Sequence, residues 1–325
     1  MRELRYREAL REGIADEMER DERVFIVGEE VGHYQGAYKV TEGLLERFGA
    51  KRVIDAPIAE AGFAGLAIGA AMAGLRPIVE FMTWNFSAVA FDQILNNAAK
   101  VRQMSGGQFS CPIVFRGPNG AARQTGAQHS QCFEAFYAHV PGLKVVCPAT
   151  PADAKALMRA AIRDDNPVLV LEDERLYGTR GDVPEGEHIA SIGESHVARA
   201  GSHVTVVTWG KMLLAALGAA EQLAREGVEC EVIDLRSVRP LDHVPVLLSV
   251  EKTHRCLVVQ ESWPFGGVGA EVVDRVQREA FSSLVAPVLR VTGRDAPMPY
   301  NKKLEDLTIP SVDTVVRGVR ALLAY

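Results

Sequence analysis

Glu60 is the residue whose surroundings promise the most chemistry. It follows a short apolar stretch, Arg52-Val53-Ile54-Asp55-Ala56-Pro57-Ile58-Ala59, and opens a run of Gly, Ala and apolar residues reaching Gly74. No charge follows for fifteen positions, until Arg76. Such a run predicts a buried helix whose small residues let another backbone approach closely. A lone carboxylate at its mouth is partly desolvated, which predicts a raised pKa and proton exchange near neutral pH. The plainer reading is that Glu60 caps its helix and favours the positive dipole end. His129 lies in the glycine-bearing loop Gly126-Ala127-Gln128-His129-Ser130-Gln131. A loop position favours a functional histidine, and imidazole suits proton traffic near neutral pH. Phe86, in MTWNFS (82–87), offers a flat ring for stacking, whereas Trp84 reads as a core aromatic. Glu29 follows a strand end, and a cofactor-facing role and a structural ion pair both stay open.

The elements that must position these residues alternate. Helical spacing runs from Tyr6 to Arg20, with a strand at Val24–Gly28 and a helix from Thr41 to Phe48. The strand before Glu60 and the glycine helix follow, then a strand at 77–81 and one long helix from Ser87 to Met104. Further strands fall at 112–115, 144–146 and 167–172, with helices near 130–138 and at 151–163. Alternating strands and helices predict an α/β fold with a parallel sheet covered on both faces. Ligands of such sheets sit beyond the carboxyl ends of the strands. Glu29, Glu60, Trp84 to Phe86 and the 117–129 loop all fall at that edge.

From Tyr177 to Ser202 the pattern loosens into glycines, Pro184 and mixed polar residues. Beyond it a second α/β pattern begins, with strands at 204–208, 229–235 and 256–260 and helices at 211–225 and 269–279. We therefore expect two doubly wound domains, 1–185 and 203–325, joined by a linker at 186–202.

Composition narrows the function classes. The chain has 325 residues, 24% charged and 47% hydrophobic, an ordinary globular balance with material for two cores. A net charge of −6 with no long Lys/Arg block argues against nucleic acid as a main partner. The five cysteines are scattered, with no CxxC pair, and read as reduced thiols of a cytoplasmic protein. The amino terminus is too acidic for a transit peptide and lacks a signal-peptide core. The glycine run is too short to span a bilayer convincingly.

Glu60, Gly65, Leu66 and Gly69 together resemble the carboxylate-and-glycine signature of thiamine diphosphate enzymes. The resemblance extends through GEEVGHYQGAYKVTEGL (28–44), APIAEAGFAGLAIGAAMAGLRPIVEFMTWNFS (56–87), FDQILNNAAK (91–100), PIVFRGPNG (112–120), the segment 126–174 and GVECEVIDLRSVRPLD (227–242). These long, ordered matches are similar to beta chains of the decarboxylase component of 2-oxo acid dehydrogenase complexes, most of all the pyruvate type. The resemblance implies a transketolase-type pyrimidine-binding domain followed by a transketolase-type C-terminal domain. It implies decarboxylation of a 2-oxo acid and reductive acylation of a lipoyl group. In that family the glutamate matching Glu60 hydrogen-bonds a ring nitrogen of the cofactor's aminopyrimidine, and the glycine helix packs on its counterpart across a dimer interface. Glu29 and Phe86 match cofactor-binding positions. His129 matches a histidine at the mouth of the site that assists acyl transfer to lipoamide. Ile113, Ala161, Ile162, Asp164 and Asn166 match positions that hold a structural potassium ion, mostly through carbonyl oxygens. A helix stop with solvated acids explains the last four equally well from the residues alone.

Half of a thiamine site is missing. No Gly-Asp-Gly motif with its downstream asparagine occurs; Arg180-Gly181-Asp182 lies in the loosened segment and lacks that context. The resemblance then implies that an alpha chain supplies magnesium and the diphosphate grip, in an α2β2 heterotetramer whose other partner is a lipoyl-bearing acyltransferase. It also predicts an apolar patch over the glycine helix when the partner is absent. Pyruvate stands first among substrates, with branched-chain 2-oxo acids and acetoin open. A non-catalytic scaffold and a self-sufficient transketolase-like enzyme are the competing classes. Ala121-Ala122-Arg123-Gln124-Thr125 departs from the small-residue run of pyruvate-type chains and bears on that substrate choice.

Overall fold

A computed structural model describes all 325 residues and divides them into two compact units. The first comprises residues 1–119 and 136–192, the second residues 120–135 and 193–325. The units part inside the 186–202 segment, and the loop bearing His129 clusters with the second unit.

The first unit is built on buried parallel strands. Its elements are β1 (Arg2–Arg5), α1 (Tyr6–Arg20), β2 (Val24–Gly28), α2 (Leu44–Phe48), β3 (Val53–Asp55), α3 (Glu60–Met72), β4 (Arg76–Glu80), α4 (Val101–Met104), β5 (Val114–Pro118), α5 (Glu134–Ala138), β6 (Lys144–Val146), α6 (Pro151–Arg163), β7 (Val168–Glu172) and β8 (Arg180–Val183). Its main sheet runs β6-β7-β5-β4-β2-β3, every neighbouring pair parallel. All residues of β2, β5 and β7 are buried, as continuous apolar runs in a sheet covered on both faces must be. Alternate side chains divide between the faces. Ile26, Ile78, Val114, Val168 and Val170 pack with Leu10, Ile14 and Met18 of α1 and Leu157, Met158 and Ala161 of α6. On the other face the Phe81 ring lies 5.9 Å from Phe63 of α3 and 5.9 Å from Phe115. Strand β1 pairs antiparallel with β8, closing the start of the unit onto its end.

Three helix expectations change. Helix α3 is buried on one face only: Phe63, Ala64, Ala67, Ile68 and Ala71 face inward at helical spacing, while Ala61, Gly62, Leu66 and Gly69 are exposed. The sequence is apolar all round, yet within one chain only one side has a surface to meet. The long helix over 87–104 is instead a 3-10 turn (Trp84–Ala88), a π-helical stretch (Gln93–Ala98) and α4. Ser87 turns its hydroxyl onto the Trp84 carbonyl at 2.6 Å, and Asn97 donates to the Gln93 side chain at 3.0 Å. The Ser87 hydroxyl thereby occupies a backbone acceptor, whereas the Asn97–Gln93 bond joins side chains only. The second helix likewise starts at Leu44, because Gly43 before it is left-handed (φ +77°).

The second unit holds β9 (His196–Arg199), β10 (Val204–Thr208), α7 (Met212–Ala224), β11 (Cys230–Asp234), β12 (Ser237–Arg239), α8 (Val244–Thr253), β13 (Cys256–Val259), α9 (Val268–Glu279), β14 (Leu289–Val291), α10 (Lys302–Thr308) and α11 (Val312–Leu323). Its five-stranded sheet runs β14-β13-β10-β11-β9, parallel except for edge strand β9. No helix of the chain is long and apolar enough to cross a membrane. All five cysteines are buried free thiols.

Candidate active site

Adjacent strands β4, β2 and β3 end side by side and deliver three carboxylates to one edge of the first unit's sheet. Glu29 follows β2, Glu60 opens α3 after β3, and Glu80 ends β4. Register places Gly28 opposite Glu80. A Cβ at Gly28 would lie 2.5 Å from the Glu80 carbonyl oxygen, so only glycine lets the strands close there. Glu29 is 5% exposed, as is Glu60. The Glu60 carboxylate lies near enough for its charge to act on Glu29. Burial first, then the charges of Glu60 and Glu80, push Glu29 from 4.5 up to about 7. Oxygen Oε1 of Glu29 is buried without a partner. A buried carboxyl raised toward neutral pH, beside a second buried carboxyl and with one acceptor oxygen unpartnered, is poised to exchange a proton with a ligand.

Beneath the pair lies an ionic network that the sequence reading did not identify. Arg116 on β5 is 1% exposed and pairs with Glu80 on one side and Glu172 on the other. Its Nε donates to Glu172 Oε1 at 2.6 Å, and the Tyr177 hydroxyl donates to Glu172 Oε2 at 2.7 Å. Burial pushes the Glu80 carboxyl up, and the Arg116 charge works against it. The available signal was a charge inside each of three apolar strands, RPIVE, VFRGP and VLVLE. Charges are almost never fully buried unless paired.

Phe86 is half-buried in the turn after β4, where the Thr83 side chain accepts the Asn85 N–H at 3.2 Å. Trp84 is wholly buried, 5.3 Å from the Tyr137 ring, with its indole N–H on the Val170 carbonyl. It is the core aromatic that its context suggested. Ala161, Ile162, Asp164 and Asn166 gather at the end of α6, where Arg76 donates to the carbonyls of Ile162 (2.9 Å) and Asp164 (3.1 Å). The Ile113 carbonyl accepts the Val168 N–H at 3.0 Å. Each carbonyl oxygen keeps a second lone pair beside its protein donor. No cluster of His, Cys, Asp and Glu has the make-up of a metal site.

His129 belongs to the second unit. It is half-buried at the end of a short 3-10 turn, Ala127–His129, and its carbonyl accepts from the Thr125 hydroxyl at 3.4 Å. Arg123, in the divergent stretch before it, is exposed.

Two domains of transketolase type account for this fold: residues 2–180 match the transketolase pyrimidine binding domain and residues 193–315 the transketolase C-terminal domain. A split-gene transketolase, described as an inactive beta4 tetramer, shares the fold with a TM-score of 0.80 at 21% identity, over 98% of both chains. The chain is 55% identical over 323 residues to the pyruvate dehydrogenase E1 component subunit beta of Rickettsia felis, covering 99% of each. It is 52% identical to the mitochondrial subunit of Bos taurus, over 98% of this chain and 90% of that one. The chain therefore belongs to the family of pyruvate dehydrogenase E1 component beta subunits.

Proposed function

We propose that this chain is the beta subunit of a thiamine-diphosphate-dependent pyruvate decarboxylase component, acting with an alpha subunit in an α2β2 assembly and passing the acetyl group to a lipoyl-bearing acyltransferase. The carrying observation is the buried Glu29–Glu60 pair with its leftover acceptor oxygen. The pair, with half-buried Phe86 at the same sheet edge, fits the aminopyrimidine half of the cofactor. Thiamine diphosphate supplies the electron sink that no side chain provides. Glu60 gives a proton to a ring nitrogen and takes it back, which is general acid–base work. Glu29 holds the pair's proton near neutral pH, and Phe86 offers a ring face for stacking. His129 serves the acyl-transfer step as a proton carrier. The alpha subunit brings the magnesium and the diphosphate grip. Pyruvate is the preferred substrate. The free, buried cysteines favour a cytoplasmic setting.

The test is dye-linked decarboxylation of pyruvate, with magnesium and thiamine diphosphate, by this chain alone and mixed with its alpha subunit. Turnover only in the mixture is expected. Turnover by the lone chain would overturn the shared site. An active mixture that prefers branched-chain 2-oxo acids or acetoin would overturn the substrate assignment.

We further propose that the carbonyls of Ile113, Ala161, Ile162, Asp164 and Asn166 hold potassium as a structural ion. A higher thermal midpoint in potassium chloride than in equal sodium or choline chloride is expected. Equal midpoints in all three salts would remove the site.

A further inference from the structure

The second unit contains no acid–base pair like that of the first, but it grips the chain just before His129 at three places. At the base of the loop the Glu261 carboxylate accepts the Ala121 N–H at 2.6 Å. The same carboxylate pairs with Lys211 Nζ at 2.6 Å, and that amine also donates to the Ala121 carbonyl at 3.2 Å. Further along, Glu305 of α10, 1% exposed, accepts the Gln124 N–H at 2.7 Å. Gln124 is left-handed (φ +61°), a conformation a non-glycine residue keeps only when its surroundings hold it. At the third place Gly126 (φ +80°) lies under the Tyr300 ring, whose atoms would be 2.3 Å from an added Cβ.

Lys211, Glu261, Tyr300 and Glu305 come from three separate stretches of sequence, and they converge on residues 121–126. Withdrawing a carboxylate from water is costly unless hydrogen bonds replace its hydration. Two carboxylates here meet backbone N–H groups of one short loop, which fixes the loop's path and not merely its burial. The next side chain of catalytic type is His129, three residues past Gly126.

We infer that Glu261, Glu305 and Tyr300 are positioning residues for His129, so that they control acyl transfer without themselves touching the reacting atoms. This rests on the reading of His129 as the acyl-transfer histidine. Misplacing a catalytic group by about an ångström can cost about a hundredfold in rate, whereas steps that do not use it are spared.

The experiment uses the assembled holoenzyme and two assays, dye-linked pyruvate decarboxylation and reductive acetylation of an isolated lipoyl domain. Glu305→Ala is expected to slow acetylation by about tenfold or more while leaving dye-linked turnover near the parental rate. Glu305→Gln, whose amide oxygen still accepts the Gln124 N–H, is expected to recover most of the acetylation. Tyr300→Ala removes an exposed ring and decides the matter if Glu305→Ala fails to fold; the same split is expected. Parallel loss in both assays would mean a structural role and overturn the inference. So would normal acetylation in both Glu305→Ala and Tyr300→Ala while His129→Gln is impaired. Normal acetylation in His129→Gln would instead remove the reading of His129 on which the inference stands.

Discussion

In the proposed reaction, Glu29 at a strand end and Glu60 at a helix start form one acid–base site. Glu60 is the proton donor of the proposed reaction, so Glu60→Gln is expected to lower turnover of the assembled enzyme by about 100-fold or more. Size-exclusion chromatography should show assembly intact; unchanged turnover would favour the scaffold reading. Glu29 carries a pH signature. Its value in the folded chain, about 7, lies above its ordinary 4.5, so the native state keeps the proton longer than the unfolded chain does. Stability contributed by this group is therefore present below about pH 4.5 and lost as pH rises through about 7. Glu29→Gln removes the titration. The variant should gain on the parent as pH rises through that window, by up to about 3 kcal/mol at alkaline pH. Thermal midpoints across the window check this, and a gap that does not change with pH would contradict it.

Helix α3 joins two demands in one element. Its inner face packs Phe63 and Ile68 into the first unit, and its N-terminus presents Glu60. Its outer face leaves Leu66 at 62% exposure beside Gly62 and Gly69, and a Cβ on Gly69 would meet nothing within 4 Å. In the proposed assembly this face is where another helix approaches closely. Gly69→Leu is expected to leave the isolated chain as stable or about 1 kcal/mol more stable, since glycine is a poor helix former. The same change should block the α2β2 assembly. Sedimentation of the mixed subunits measures the second effect, and a normal heterotetramer would refute it. The strands beside α3 show the opposite economy. Arg116, Glu80 and Glu172 lie on three neighbouring strands and pair with one another in the buried sheet. Removing one partner of such a set leaves an uncompensated buried charge.

At the scale of the molecule, the chain order and the spatial order of its parts differ. Residues 120–135 sit within the sequence of the first unit but cluster with the second, which carries His129 with it. The first unit supplies the carboxyl pair and the second holds the histidine loop through Lys211, Glu261, Tyr300 and Glu305. Each unit therefore carries residues of the proposed reaction.

The sequence by itself determined the α/β class, most strand positions of the parallel sheet and the family. These follow from local patterns: strands covered on both faces read as short, mostly apolar runs, and the family's motifs are contiguous in the chain. Tertiary structure alone decided the rest. It paired Glu29 with Glu60, because two strand ends distant in sequence are neighbours in the sheet. It set Arg116 between Glu80 and Glu172 through strand register, which no short window of residues contains. It broke the helix expected over 87–104, where the Ser87 hydroxyl occupies a backbone acceptor. It also gave the His129 loop to the second unit, because the carboxylates that satisfy its backbone lie more than a hundred residues further along the chain.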